Sequence, residues 1–346
     1  MSKLIVVLGA TGTQGGSVVD TFLGQSGWKI RALTRNANSG SAQKLKEKGV
    51  HEVVTATLDD VASLTEAFKG AHTVFSVTDF WGLYQDPANT EKAAATGLPK
   101  NVWAARVEEQ QGKNVFDAAA HTAGLERLVF SGLSHATKWS RGKYSHVYHF
   151  DSKARAAEYG REEHAELWAK TSILQVGFYL SNLLTSPFMR PRKDENGLYV
   201  FAHNFPMALK LPLIATEEDT GPFTRALVEV APGKNLIAYR AWMTLDEYLD
   251  IICRVTGVKA VNRQVPLDAS SGSIPEELVA ELTDNADYFE EFGYEGRDDP
   301  TLVHPRDVSL DLSCTEKTGT DHDVLLAWCG CTTPVCRRLG EEAGLE

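Results

Sequence analysis

The chain has 346 residues, 43% of them hydrophobic and 23% charged, with a formal net charge of -11. That mixture carries enough apolar mass for a folded unit with one large sheet and a smaller appended part, and it argues against disorder. The basic residues are scattered, so the electrostatic footprint of direct nucleic-acid binding is missing; no apolar run approaches the roughly 20 residues of a membrane span, and the N-terminus enters a strand without a signal region, which makes a cytoplasmic location the default expectation.

Leu4 to Leu8 is a continuous apolar run, the pattern of a parallel strand covered on both faces. Glycines follow at once. Val18 to Leu23 reads as a helix and Lys29 to Leu33 as the next strand, so a βαβ unit fits into about thirty residues. Ala42 to Lys48 is a short polar helix ended by Gly49, Glu52 to Ala56 a strand, Val61 to Phe68 a helix ended by Gly70, and Thr73 to Val77 a strand. This cadence predicts an α/β fold with a Rossmann-type, doubly wound parallel sheet. From Asp79 to Lys100 the rhythm breaks at a cluster of aromatics, Pro87, Gly97 and Pro99, and the segment reads as a long loop forming a flap over a site.

Asn101 to Ala123 resumes as a long helix, Leu128 to Phe130 is a strand, Phe150 to Trp168 a helix and Ser172 to Val176 a strand. The core is expected to span residues 1–176. Residues 177–346 read as a smaller C-terminal lobe, partly interleaved with the last core strands, with a hairpin-like region around Tyr199 to Leu213 and helices near Leu245 to Val255 and Pro275 to Phe292. The five cysteines, Cys253, Cys314, Cys329, Cys331 and Cys336, are an odd number and suit a reducing compartment. The last three lack paired C-x-x-C spacing and a nearby histidine, so no metal is expected.

Gly9-Ala10-Thr11-Gly12-Thr13-Gln14-Gly15 is G-x-x-G-x-x-G between a strand and a helix. Gly9 permits the tight turn, Gly12 lets the main chain approach a pyrophosphate, and Gly15 brings helix and strand together. The free N–H groups at the helix N-terminus then face an anion. About 20 residues further on, where an NAD enzyme offers an acid to the ribose, the chain has Thr34-Arg35-Asn36. A guanidinium at Arg35 can take a 2′-phosphate through paired hydrogen bonds, which points to NADP(H).

The same turn, together with RALTRN, VFSVTDFW, QGKNVFDAA, LVFSGLSH, HFDSKARAAEY, GFYLSNLL and DTGPF, resembles the NmrA-like branch of the atypical short-chain dehydrogenases/reductases, over roughly residues 3 to 260. The resemblance implies a Rossmann core that binds a dinucleotide and a lobe that closes a cleft. It implies further that Gly9, Thr11, Gly12, Gln14 and Gly15 form the phosphate turn, that Arg35 selects NADP, and that Asp59 and Asp60 lie beside the adenine. By the same resemblance Thr78 and Phe80 flank the nicotinamide, Lys153 holds its ribose, and Gln175, Gly177, Phe178 and Tyr179 lie near the ring.

One departure bears on chemistry. Active short-chain dehydrogenases usually carry a tyrosine four residues before the lysine as proton donor; here that position is His149. On a helix His149 and Lys153 share a face, so the imidazole is a candidate general acid, with a hydrogen-bonded core histidine as the alternative. Ser131 is either a substrate-orienting hydroxyl or a turn serine. His135, His146 and His149 lack the partners of a metal site. Phe80, Trp81, Tyr84 and Trp103 read either as core or as the lining of a pocket for a planar, aromatic small molecule. Two functions follow: an NADP(H)-dependent oxidoreductase acting on a mid-sized carbonyl, imine or enone, or a redox sensor that reads NADP(H) through a regulatory protein partner. The first is favoured, and a homodimer is compatible with either.

Overall fold

The structure is a computed structural model that describes residues 2–186, 189, 191–267 and 274–308. Its first half alternates as the sequence predicts: β1 (Lys3–Val7), α1 (Thr13–Leu23), β2 (Trp28–Thr34), α2 (Gly40–Glu47), β3 (Glu52–Thr55), α3 (Val61–Phe68) and β4 (Thr73–Ser76). Then come α4 (Phe80–Gln85), α5 (Thr90–Ala95), α6 (Lys100–Ala120), β5 (Arg127–Gly132), α7 (Ala136–Trp139), α8 (Tyr148–Glu163), α9 (Ala165–Trp168) and β6 (Thr171–Val176). The remainder is β7 (Phe178–Tyr179), α10 (Asn182–Thr185), β8 (Arg192–Lys193), β9 (Tyr199–His203), β10 (Lys210–Ile214), α11 (Thr216–Glu229), β11 (Asn235–Ala238) and β12 (Ala241–Thr244). It closes with α12 (Leu245–Thr256), β13 (Ala260–Gln264), α13 (Glu276–Phe292) and β14 (Leu302–Val303).

Eight parallel strands form the main sheet in the order β14-β11-β6-β5-β4-β1-β2-β3. The order reverses between β1 and β4, which creates the crevice where open α/β sheets take their ligands. Because successive strand residues face opposite ways, Ile5 and Val7 enter one core with Val18 and Phe22 of α1 and Phe223 and Leu227 of α11. Val6 and Leu8 enter the other, with Leu64 of α3, Phe116 of α6 and Ala156 of α8. Burial on both faces explains why β1 is apolar without alternation.

The sheet continues past Val176, since β11 pairs with β6, and β14 with β11. Helix α11 also belongs to this layer: Gly221 brings it so close to α1 that a Cβ there would lie 2.2 Å from the Ser17 carbonyl. The remaining elements build two small sheets, β12-β10-β7 and β13-β9-β8, around a second core that includes Phe201, Leu213, Tyr248 and Phe289.

Three expectations change. The segment 79–100 is a pair of short helices with a 3₁₀ turn at Pro87–Asn89, not an open flap. Phe80 and Tyr84 are buried against Ala104, Ala105 and Leu278, and caps at Asp79 and Asp86 supply the helix starts, so the aromatics that broke the sheet rhythm serve a satellite core. The helix expected from Phe150 to Trp168 begins two residues earlier and breaks at His164. Finally, β9 and β10 do not form a hairpin; they lie in different small sheets, β9 paired in parallel with β13 and β10 with β7. Cys314, Cys329, Cys331 and Cys336 lie outside the described residues.

Candidate functional site

At the reversal point the chain leaves β1 and turns into α1 through the glycines. Gly9 has φ +62°, which an L side chain rarely adopts, and its carbonyl accepts the Gly12 N–H at 2.8 Å. A Cβ on Gly15 would stand 2.3 Å from that same carbonyl oxygen, so the close strand-to-helix approach excludes any side chain there. Gly12 heads α1 without a side-chain cap, and no acid sits in the first turn. The first-turn N–H groups and their partial positive charge are thus left for an external anion.

A cavity of about 650 Å³ opens there, bordered by Thr11, Gly12, Thr13, Tyr179 and Asn182. Asp20 and Glu217 add negative charge to its wall, so an anion's place is at the helix mouth. Gln14 is buried and donates from Nε2 to the Tyr179 hydroxyl at 2.6 Å, tying the turn to β7. Burial pushes that hydroxyl up to about 12.

Arg35 follows β2 directly and is exposed. Arg31 is by contrast committed, to Glu52 and to the carbonyls of Ala67 and Lys69. Asp59 and Asp60 follow β3. Asp60 caps α3 by accepting the Ala62 N–H, while Asp59 accepts from Gln111 Nε2 at 2.8 Å and from the Thr57 hydroxyl at 3.1 Å. Asp60 therefore has a local structural task, whatever else lies beside it.

Beyond β4, the packing of α6 on α8 assembles a buried polar knot. Gly112 and Gly160 have no side chain to hold the helices apart; a Cβ on Gly112 would lie 2.5 Å from that of Ala156, and one on Gly160 2.3 Å from the Phe116 ring. This approach delivers Lys153 of α8 to Glu108 of α6. Lys153 Nζ donates to Glu108 Oε1 at 2.5 Å and to the His149 carbonyl at 3.2 Å. The Thr78 hydroxyl donates to the same Oε1 at 2.8 Å, and Ser152 donates to Oε2. The Glu108 side chain is 0% exposed and that of Lys153 11%, so a desolvated carboxylate satisfied by three donors fixes the position of the ammonium.

Glu108 was not among the residues singled out from the sequence. The signal was present: Ala104, Ala105, Glu108, Gln111, Gly112 and Val115 follow the inward-facing spacing of α6, and an acid on such a stripe needs a partner.

One turn before Lys153, His149 is enclosed by aromatic rings and a second carboxylate. Its ring lies 5.1 Å from Trp81 and 5.7 Å from Phe80, centroid to centroid. Glu281 of α13, fully buried, accepts from His149 Nδ1 at 2.7 Å and from its backbone N–H at 3.2 Å. Asn101 donates to the other Glu281 oxygen at 3.0 Å and to the Glu277 carbonyl at 2.7 Å. The Tyr84 hydroxyl donates to Glu277 at 3.0 Å, so α13 is fastened across α4, α6 and α8.

Several residues have structural tasks of their own. Ser131 does not end its strand; β5 runs on to Gly132, and Ser131 is buried within it. Gln175 is buried and donates to Asn235 of β11 at 2.9 Å, while Phe178 packs its ring 5.9 Å from Phe205 in the lobe core. Phe80 is 1% exposed and serves the satellite core. Gly177 is required for packing, since a Cβ would lie 2.2 Å from the Pro212 carbonyl oxygen. Tyr144 gives its hydroxyl to Glu291 at 2.8 Å. His135, His146 and His149 pair with three different carboxylates, Glu158, Asp284 and Glu281, and do not converge. No described helix is long and apolar enough to cross a membrane.

A parallel sheet with the 3-2-1-4-5-6 order and a glycine turn at its first strand defines the Rossmann class. Within that class the chain belongs to the NmrA-like family, whose model matches residues 1–319. A curated relative, the NmrA-like family domain-containing oxidoreductase hkm9 of Aspergillus hancockii, is 31% identical over 286 residues, 78% of this chain and 76% of the relative. Among solved structures the chain is similar to NmrA, a negative transcriptional regulator, in complex with NADP, at 19% identity and TM-score 0.67, covering 100% of this chain and 98% of that one. It is similar also to the Citrobacter sp. triphenylmethane reductase complexed with NADP(H), at 20% identity and TM-score 0.58, covering 98% and 99%.

Proposed function

We propose that this chain is an NADP(H)-dependent oxidoreductase acting on a mid-sized carbonyl, imine or enone. The observation that carries the reading is the side-by-side arrangement on one face of α8: an ammonium fixed by Glu108 and, one turn away, an imidazole backed by Glu281. The glycine turn fits a pyrophosphate, because its helix mouth is uncapped and the positions where a Cβ would intrude are glycines. Arg35, exposed beyond β2, would take the 2′-phosphate, and Lys153 the nicotinamide ribose hydroxyls. Bound NADPH would supply the hydride. The protein's share is to orient the acceptor, exclude water with the Phe80 and Trp81 helix, and deliver a proton from His149. Trp81 gives the acceptor side an aromatic wall, which favours a planar substrate. The name oxidoreductase borne by curated relatives such as hkm9 agrees with this reading.

Calorimetric titration of the purified protein with NADPH and NADH tests the first half. Arg35→Ala should weaken NADPH about 10- to 100-fold, the size of a charge-assisted hydrogen-bonded pair, and leave NADH nearly unchanged. Equal losses for both would remove the 2′-phosphate assignment. Loss of NADPH absorbance against aldehydes, ketones, imines and quinones tests the second half, with Lys153→Ala as control. A protein that binds NADPH, oxidises it with none of them and captures a protein partner in only one redox state would fit the sensor reading, which the absent tyrosine at position 149 would then favour.

A further inference from the structure

We propose that Glu281, carried by helix α13, is a positioning residue that orients His149 and keeps a proton on its Nδ1, so that Nε2 is the nitrogen through which the imidazolium delivers its proton. The inference rests on the oxidoreductase reading above and adds the group that makes an imidazole able to stand where other short-chain enzymes use a phenol.

The geometry is specific. A carboxylate can only accept, so the 2.7 Å contact puts a ring proton on His149 Nδ1 and leaves Nε2 as the nitrogen that exchanges protons with anything else. The backbone N–H of His149 donates to the same Glu281 oxygen, and Asn101 donates to the other, so the carboxylate is itself held at three points. Glu281 has no exposed surface. Its charge offsets that of the imidazolium during transfer far better than solvent-screened charge would.

The step balances with the hydride that bound NADPH would supply and one proton from solvent. Once the acceptor has taken up the hydride, its π electrons collect on the oxygen or nitrogen. That atom takes the proton from Nε2 of the imidazolium. The N–H electron pair stays in the ring, now neutral with Nδ1–H still on Glu281, and a proton taken from bulk solvent restores the imidazolium before the next turnover. Because the carboxylate comes from α13, the proton donor is complete only when that helix is docked on α4, α6 and α8.

Two readouts test this. In ¹⁵N-histidine-labelled protein, with the His149 signals identified by loss in His149→Gln, long-range ¹H–¹⁵N spectra followed through a pH titration should show that the ring, in its neutral form, keeps its proton on Nδ1. Glu281→Leu should return it to the Nε2-protonated form that free imidazole side chains prefer. Should Glu281→Leu fail to fold, Glu281→Gln, which keeps the shape and one acceptor oxygen, carries the kinetic arm. It should lower kcat for NADPH oxidation with 1,4-naphthoquinone by about 10²-fold, the scale of general acid–base catalysis, with KM for NADPH unchanged. A neutral wild-type ring that carries its one proton on Nε2 overturns the proposal. If the wild type turns over and neither Glu281→Gln nor His149→Gln changes kcat, the positioning role is overturned while the oxidoreductase reading stands. If the wild type binds NADPH and reduces no acceptor, that reading falls and takes the positioning role with it.

Discussion

Removing the Glu108 side chain should destabilise the protein through the partners it leaves behind. Lys153, with 11% of its side chain exposed, would keep its charge in a place built around a carboxylate, and the Thr78 and Ser152 hydroxyls would lose their acceptor. The two hydroxyls cost about 1 kcal/mol each and the stranded ammonium the remainder of the roughly 3–5 kcal/mol typical when one member of a buried pair is deleted. Lys153→Met alone should cost less, about 2 kcal/mol, because Glu108 keeps two hydroxyl donors. The combined variant Glu108→Ala/Lys153→Met removes both charges, so its loss should be smaller than that of Glu108→Ala. Urea denaturation followed by tryptophan fluorescence, with matched slopes, measures all three. If the losses simply add to within about 0.5 kcal/mol, the pair is not coupled and the reasoning about the knot is wrong.

Gly221→Ala should destabilise by about 1–3 kcal/mol, since its methyl would stand 2.1 Å from the Thr21 hydroxyl and 2.2 Å from the Ser17 carbonyl oxygen; an unchanged urea midpoint would mean that α1 and α11 can separate freely. His203 lies 3% exposed in β9, and burial holds its imidazole below the ordinary value of 6.5. With the folded value depressed, the unfolded chain binds more protons, so this residue removes stability as pH falls below 6.5, by at most about 1.4 kcal/mol per unit. His203→Phe should therefore show a smaller drop in urea midpoint between pH 7.5 and 5.5 than the wild type; an equal drop in both would contradict the assignment.

The strands and helices up to β4 were legible because each carries its own periodicity and stop signal, as with Gly49 and Gly70, which take positive φ at the ends of their helices. The glycine turn was legible for the same reason: its residue types answer to backbone geometry within seven positions. The segment 79–100 was misread because its helices are short, and what holds them is tertiary, namely Tyr84 on Glu277 and Phe80 among Ala104 and Leu278. His149 and Lys153 could be placed on one face by spacing alone. Their carboxylates could not, since Glu281 is 132 residues from His149 and Glu108 is 45 from Lys153. Pairing across such separations is decided by which helices touch, and only the small residues at Gly112 and Gly160 hinted at that contact.

The late entry of β11 into the main sheet bears on how this chain survives damage. A polypeptide cut after Val176 would contain the whole glycine turn, but β6 would end in a row of free N–H and C=O groups where Asn235 to Ala238 now pair. Such an unpaired edge recruits strands from other molecules. Truncated chains are thus expected to precipitate rather than persist as small binding modules, and a nick in the second half is as grave as one in the first.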